Sequence, residues 1–105
     1  MFTRHVLVRL KAETSPEFTR LVENEVIPML RKQKGFLDIV TGISPDLTQA
    51  VSNTFWETEA DADAYRRTGY PEVMKSLETV VEGTPTVGTA NVSNSTFHKI
   101  AAAHA

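Results

Sequence analysis

The feature that most constrains this chain is the run at residues 49–65, Gln-Ala-Val-Ser-Asn-Thr-Phe-Trp-Glu-Thr-Glu-Ala-Asp-Ala-Asp-Ala-Tyr. Its first eight residues suit a pleated, half-buried surface, and alternation places Ser52, Thr54 and Trp56 on one face and Val51, Asn53 and Phe55 on the other. Thr58, with Asp61 three residues later, resembles a capping box, so a helix opens almost as soon as the strand ends. A strand that hands over directly to a helix must find its partners elsewhere in the chain. A pocket is expected beside this junction, where Trp56, the only tryptophan, sits.

The rest of the sequence supplies those partners. Residues 3–11 alternate, with Val6, Val8 and Leu10 on one face and His5, Leu7 and Arg9 on the other, which predicts a first strand. Ser15, Pro16 and Glu17 form a helix start, with Ser15 as the cap. Phe18, Leu21, Val22, Val26, Met29 and Leu30 then recur at helical spacing as far as Gly35. Pro28 falls inside this helix and predicts a bend. Residues 36–41 read as a second strand, and Ser44-Pro45-Asp46 as the turn into the third. The second helix is expected over 59–67, interrupted at 68–71, and resuming over 72–82 with Val73, Leu77, Val80 and Val81 as its stripe and Gly83 as its stop. Residues 86–97 read as a fourth strand with doubtful ends.

The order β-α-β-β-α-β predicts an α+β, ferredoxin-like fold, a four-stranded antiparallel sheet with two helices on one face. The other face is too apolar to stay wet, so a homodimer closing over it is expected. One domain over 1–98 and a flexible tail over 99–105 account for the chain of 105 residues.

Composition removes several classes of function. Hydrophobic residues at 41% and charged residues at 23% are those of an ordinary globular protein. The net charge is −2, with basic residues interleaved among acids, so no nucleic-acid footprint is expected. There is no cysteine, hence no thiolate nucleophile or disulfide. No apolar run is long enough for a signal peptide or membrane span, which makes the cytoplasm the expected location. Glu59, Asp61 and Asp63 compensate a helix N-terminus and have no histidine at metal-binding spacing, so no metal site is expected.

Three segments together give a resemblance: the opening strand from His5, the helix ending Glu-Val-Ile-Pro-Met-Leu-Arg-Lys-Gln-Lys-Gly-Phe, and Thr-Phe-Trp-Glu-Thr-Glu-Ala-Asp-Ala-Asp-Ala-Tyr. The chain resembles the dimeric α/β barrel superfamily, and within it the antibiotic biosynthesis monooxygenase-like proteins, from His5 to about Val92. The resemblance implies a pocket between sheet and helices with Trp56 in its wall, and oxidation of a small phenolic or quinol-type aromatic by dioxygen without a bound cofactor. In cofactor-free members an asparagine lies four residues before the tryptophan; here that position is Ser52, with Asn53 beside it on the opposite face. The haem-degrading members carry a helical histidine where this chain reads Asp63-Ala-Tyr-Arg-Arg67.

The candidate catalytic residues are His5, whose titration range suits proton abstraction from a phenol, and Trp56; the candidate substrate contacts are Ser52, Asn53, Tyr65 and Tyr70. Each has a structural alternative: Trp56 and the tyrosines as core, His5 as an interface residue. His98 could fold back over the sheet, and His104 reads as a solvated tail residue. The alternatives to an enzyme are a dimeric small-ligand-binding or stress-response protein, and a structural dimer whose pocket is filled by its own side chains.

Overall fold

The computed structural model describes residues 1–96. Strand β1 (Phe2–Leu10) leads to helix α1 (Ser15–Leu21), which passes through a π-helical turn (Val22–Val26) into α2 (Ile27–Arg31). Strands β2 (Phe36–Ile43) and β3 (Gln49–Trp56) form a hairpin, helices α3 (Glu59–Thr68) and α4 (Tyr70–Leu77) follow, and β4 (Val81–Asn91) completes the sheet. The strand order is β2-β3-β1-β4 with all pairings antiparallel, which is the ferredoxin-like arrangement expected from the sequence.

Side-chain parity fixes the two faces. Phe2, Arg4, Val8 and Leu10 of β1 and Ala50, Thr54 and Trp56 of β3 are buried, joining Phe18, Val22, Val26 and Leu30 from the first helix and Val73 and Leu77 from α4. Thr3 and His5 pair in register with Phe55 and Asn53, and these residues share the uncovered face with Leu7, Val40 and Val51.

Five details depart from the sequence expectation. The residue preceding α1 is Thr14, not Ser15, and its hydroxyl donates to the Lys11 carbonyl at 2.7 Å instead of capping the helix. The wide turn before Pro28 carries an Ile27 N–H to Val22 carbonyl bond, so the helix absorbs the proline by adding a residue to the turn. This relieves the clash between the ring and the carbonyl four residues back. The second helical region ends at Leu77, and Val81 opens β4. Val80 and Val81 are β-branched, and their burial is achieved from a strand edge as readily as from a helix stripe. Gly83, at φ 75°, lies in the part of β4 where its register against β1 shifts, near Pro85, and is not a helix stop. Finally, β4 ends at Asn91. The predicted strand end at Phe97, the boundary at residue 98, and His98 and His104 lie outside the described residues.

The turn expectations hold. The Leu47 N–H donates to the Ser44 carbonyl at 2.8 Å across Pro45 and Asp46. Thr58 accepts from the Asp61 N–H at 3.1 Å, the helix start read from the capping pattern. No helix among the described residues is long and apolar enough to cross a membrane.

Candidate functional site

Helices on one face of a twisted sheet leave a space where the sheet curves away, and here that space is a cavity of about 50 Å³. The sheet contributes Arg4, Val6, Ser52 and Thr54, and the helices contribute Val26, Leu30, Tyr65, Tyr70 and Met74. Most of the wall is aliphatic; the polar groups gather toward Arg4.

Arg4 is the anomaly of the core. Its place in β1 is in phase with Phe2, Val6, Val8 and Leu10, so strand geometry carries it inward, and it is 4% exposed. Its Nε is buried without a hydrogen-bond partner, and no carboxylate among the described residues lies within 4.0 Å of its guanidinium. Its compensation comes from Tyr70, whose ring centroid is 4.3 Å from Cζ and whose hydroxyl is a hydrogen-bond partner of the guanidinium. Asp63 of α3, which lines an outer groove with Arg4, is already engaged by Arg66 at 2.8 Å and Arg67 at 3.6 Å. That groove, between β4 and α3, is wider, about 290 Å³, and Arg4 thus borders both spaces.

A train of aromatic contacts supports the site. Phe36 meets Trp56 edge-on at 5.6 Å, Trp56 stacks on Tyr65 at 4.9 Å, and Tyr65 meets Tyr70 edge-on at 6.3 Å. Trp56 is fully buried and its Nε1 donates to Thr54 Oγ1 at 2.9 Å. Thr54 in turn donates to the Arg4 carbonyl at 3.3 Å, so the tryptophan's polar atom is satisfied within the sheet. Burial pushes the Tyr65 hydroxyl far above its ordinary range, and the Arg4 charge opposes this only in part. Tyr70 is raised for the same reason, again against a smaller pull from Arg4. Both phenols are therefore donors at neutral pH, not bases.

The structure brings Ser52, Tyr65 and Tyr70 together around the cavity. Ser52 shares a hydroxyl contact of 3.0 Å with Thr41. Trp56 backs Tyr65 one layer behind the wall. His5 and Asn53 are paired in register on the opposite face, so the sheet lies between them and the cavity. The His5 imidazole covers Gly88 of β4, where a Cβ would fall 2.2 Å from Nε2. In the sequence Arg4 is one more basic residue among interleaved charges, which hides its inward place. The signal that could have found it is its parity, a lone arginine among apolar residues on the inward face of an alternating strand.

A sheet of this order, roofed on one face by helices that enclose a small apolar space with a cationic end, defines a ferredoxin-like α+β domain. The sequence model of the antibiotic biosynthesis monooxygenase family matches residues 1–75, and the chain belongs to that family. Among solved structures, a monooxygenase from Streptomyces coelicolor in complex with nanaomycin D is similar, with a TM-score of 0.76 and 20% identity over 90% of this chain and 88% of that one. A protein of unknown function from Nitrosomonas europaea superposes with a TM-score of 0.74 at 9% identity, covering 91% of this chain and 92% of that chain. A conserved protein from Methanosarcina mazei gives 0.71 at 18% identity, covering 89% and 94%. At these identities the likeness is one of fold. No curated protein matches the chain.

Proposed function

We propose that the protein is a small-molecule oxygenase of this family, taking a phenolic or quinol-type aromatic into the cavity between sheet and helices. In the reaction a phenol and dioxygen give a quinone and water. A ring C–H and the phenol O–H are lost, one oxygen atom enters the ring as a carbonyl, the other leaves as water, and dioxygen accepts the four electrons the ring gives up. The observation that carries this reading is the cavity itself, with aliphatic walls, an aromatic end held by Trp56, and few polar groups gathered near one point. Ser52, Tyr65 and Tyr70 are the ligand contacts in this reading. The cavity is well below the roughly 300–1,000 Å³ of a ligand pocket, so binding goes with outward movement of Tyr70 and Met74 on the short helix α4.

A second copy closes over the uncovered face. Leu7 at 37%, Val40 at 46% and Val51 at 37% exposure form an apolar strip across three adjacent strands, with His5 and Asn53 among them. His5 then belongs to the interface.

One feature favours a second reading, a dimeric binding protein without turnover. Among the described residues the cavity wall holds no histidine or carboxylate to act as a base. Oxygen uptake with a hydroquinone, followed alongside thermal stabilisation and native mass spectrometry, separates the two. Uptake by the dimer that is lost in Met74→Trp, which fills the cavity, is the expected result. Stabilisation without uptake selects the binding protein, and a monomer with neither would overturn both readings and the interface.

A further inference from the structure

We propose that Arg4 takes the place of the missing base by binding the aromatic ligand as its phenolate. This rests on the reading of the cavity as the aromatic site and assigns the form of the molecule that occupies it.

Every ionisable or hydroxylic group around the cavity can donate, and none of those described is an anion. Arg4 brings a fixed cation with an unfilled Nε donor, and Tyr65 and Tyr70 are kept protonated by burial. A neutral phenol placed there would leave the guanidinium with the Tyr70 ring and hydroxyl as its close partners, and with the carboxylates of Glu59 and Asp63 only along the outer groove, more than 4.0 Å away. A phenolate supplies the missing negative charge, in a space where the surrounding aliphatic groups keep water from screening the pair. The proton need not pass to a protein side chain. The O–H bond breaks with its electron pair staying on the phenol oxygen, and the proton goes to water in the outer groove, which Arg4 also borders. The same pull that Arg4 exerts on Tyr70, whose ring it covers at 4.3 Å, would act more strongly on a ligand hydroxyl placed at Nε. Electron-rich phenolates reduce dioxygen far more readily than phenols, so a charge at this position serves the oxidation without a dedicated proton acceptor. A binding protein would use the same charge to choose acidic phenols over alcohols.

The probe is 4-nitrophenol, whose phenolate is seen by its colour near neutral pH, bound to the intact protein and read by difference absorbance over a pH series. Equilibrium dialysis gives the bound amount. In the wild type, the ratio of phenolate to phenol on the protein is expected to exceed that in free solution at the same pH by roughly tenfold or more, as for an acid with a cation within a few ångströms. Arg4→Met should still bind the dye but hold it at or below the free-solution ratio, because burial without the cation favours the neutral form. Arg4→Lys should recover part of the enrichment. A wild-type ratio no higher than in solution, or one unchanged in Arg4→Met, overturns the proposal and leaves the cavity reading standing. Dye binding that is absent, or unaffected by Met74→Trp, removes the cavity reading and the proposal with it. Should Arg4→Met fail to fold, the wild-type and Arg4→Lys ratios decide alone.

Discussion

Two residues on adjacent strands show how differently a core can treat polar atoms. Trp56 puts its one donor onto Thr54, which is itself satisfied by a backbone carbonyl, so burial of the largest side chain leaves nothing unpaired. Arg4, paired with Thr54 and so two register positions from Trp56 across β1 and β3, is buried with its Nε donor unfilled. Desolvating a cation costs several kcal/mol even after relaxation, and the cation–π contact with Tyr70, on the order of 2 kcal/mol, together with the bond to its hydroxyl offsets only part of this while Nε stays unfilled. Arg4→Met, which keeps the length and removes the charge, should therefore stabilise the ligand-free protein by about 1 kcal/mol or more. That corresponds to a rise in Tm of roughly 4–8 °C for a domain near this size. Thermal melts at matched protein concentration check it; a lower Tm would make the Tyr70 contact, and not the ligand, the reason for the arginine. A residue whose removal stabilises the fold is one retained for something other than folding.

At the scale of elements, the junction between β3 and α3 is set locally. Thr58 is extended, its hydroxyl accepts the Asp61 N–H, and Glu59 and Asp61 lie at the positive end of the helix. Thr58→Ala should cost about 0.5–2 kcal/mol, the range for a lost N-cap, measured by urea unfolding with an unchanged slope. The connection is tightened by Gly35, at φ 77°, whose carbonyl accepts from the Glu57 N–H at 2.9 Å and whose missing side chain leaves room for Asp61. Thus the end of the first helix, the end of β3 and the start of α3 converge at one place, with Trp56 at its centre. The cap pattern was legible because it involves residues three apart. The convergence was not, because Gly35 and Asp61 are neighbours only once the hairpin has formed.

For the whole molecule, surface charge sets the acid limit of stability and buried phenols the alkaline one. Hydrogen bonds from Arg20 hold Glu17 below its ordinary value of 4.5, and those from Ser44 and Thr48 hold Asp46 below 3.8. Hydrogen bonds from Arg66 hold Asp63 below the same value. Depressed carboxylates add stability that is complete above those ordinary values and fades as pH falls below them. These groups are exposed, so the loss should be shallow and shrink with added salt. Tyr65 and Tyr70 are raised above 10.0. Their contribution is complete below that pH and is lost as the medium becomes more alkaline, where the unfolded chain ionises first. Stability measured against pH should be level between about 4.5 and 10, falling gently on the acid side and more steeply on the alkaline side. Tyr65→Phe should soften the alkaline fall; a profile unchanged by it would mean that the hydroxyl is not buried in solution.

The sequence by itself determined the order of elements, the split of strand residues between two faces, the hairpin turn and the cap of α3. Each of these depends on neighbours within a few positions, where the periods of strand and helix and the chemistry of Pro, Gly and Thr leave few choices. Where local preference was divided, tertiary packing decided: Val80 and Val81 suit either a helix stripe or a strand, and the β1 edge claimed Val81 for β4. The site was decided at the same level. Ser52, Tyr65 and Tyr70 could be named from the chain, but only the folded sheet places His5 and Asn53 on the other side of it and sets Arg4 beside the tyrosines. Parity along a strand says which residues share a face. Which of the two faces the helices cover is decided by the packing of the whole domain.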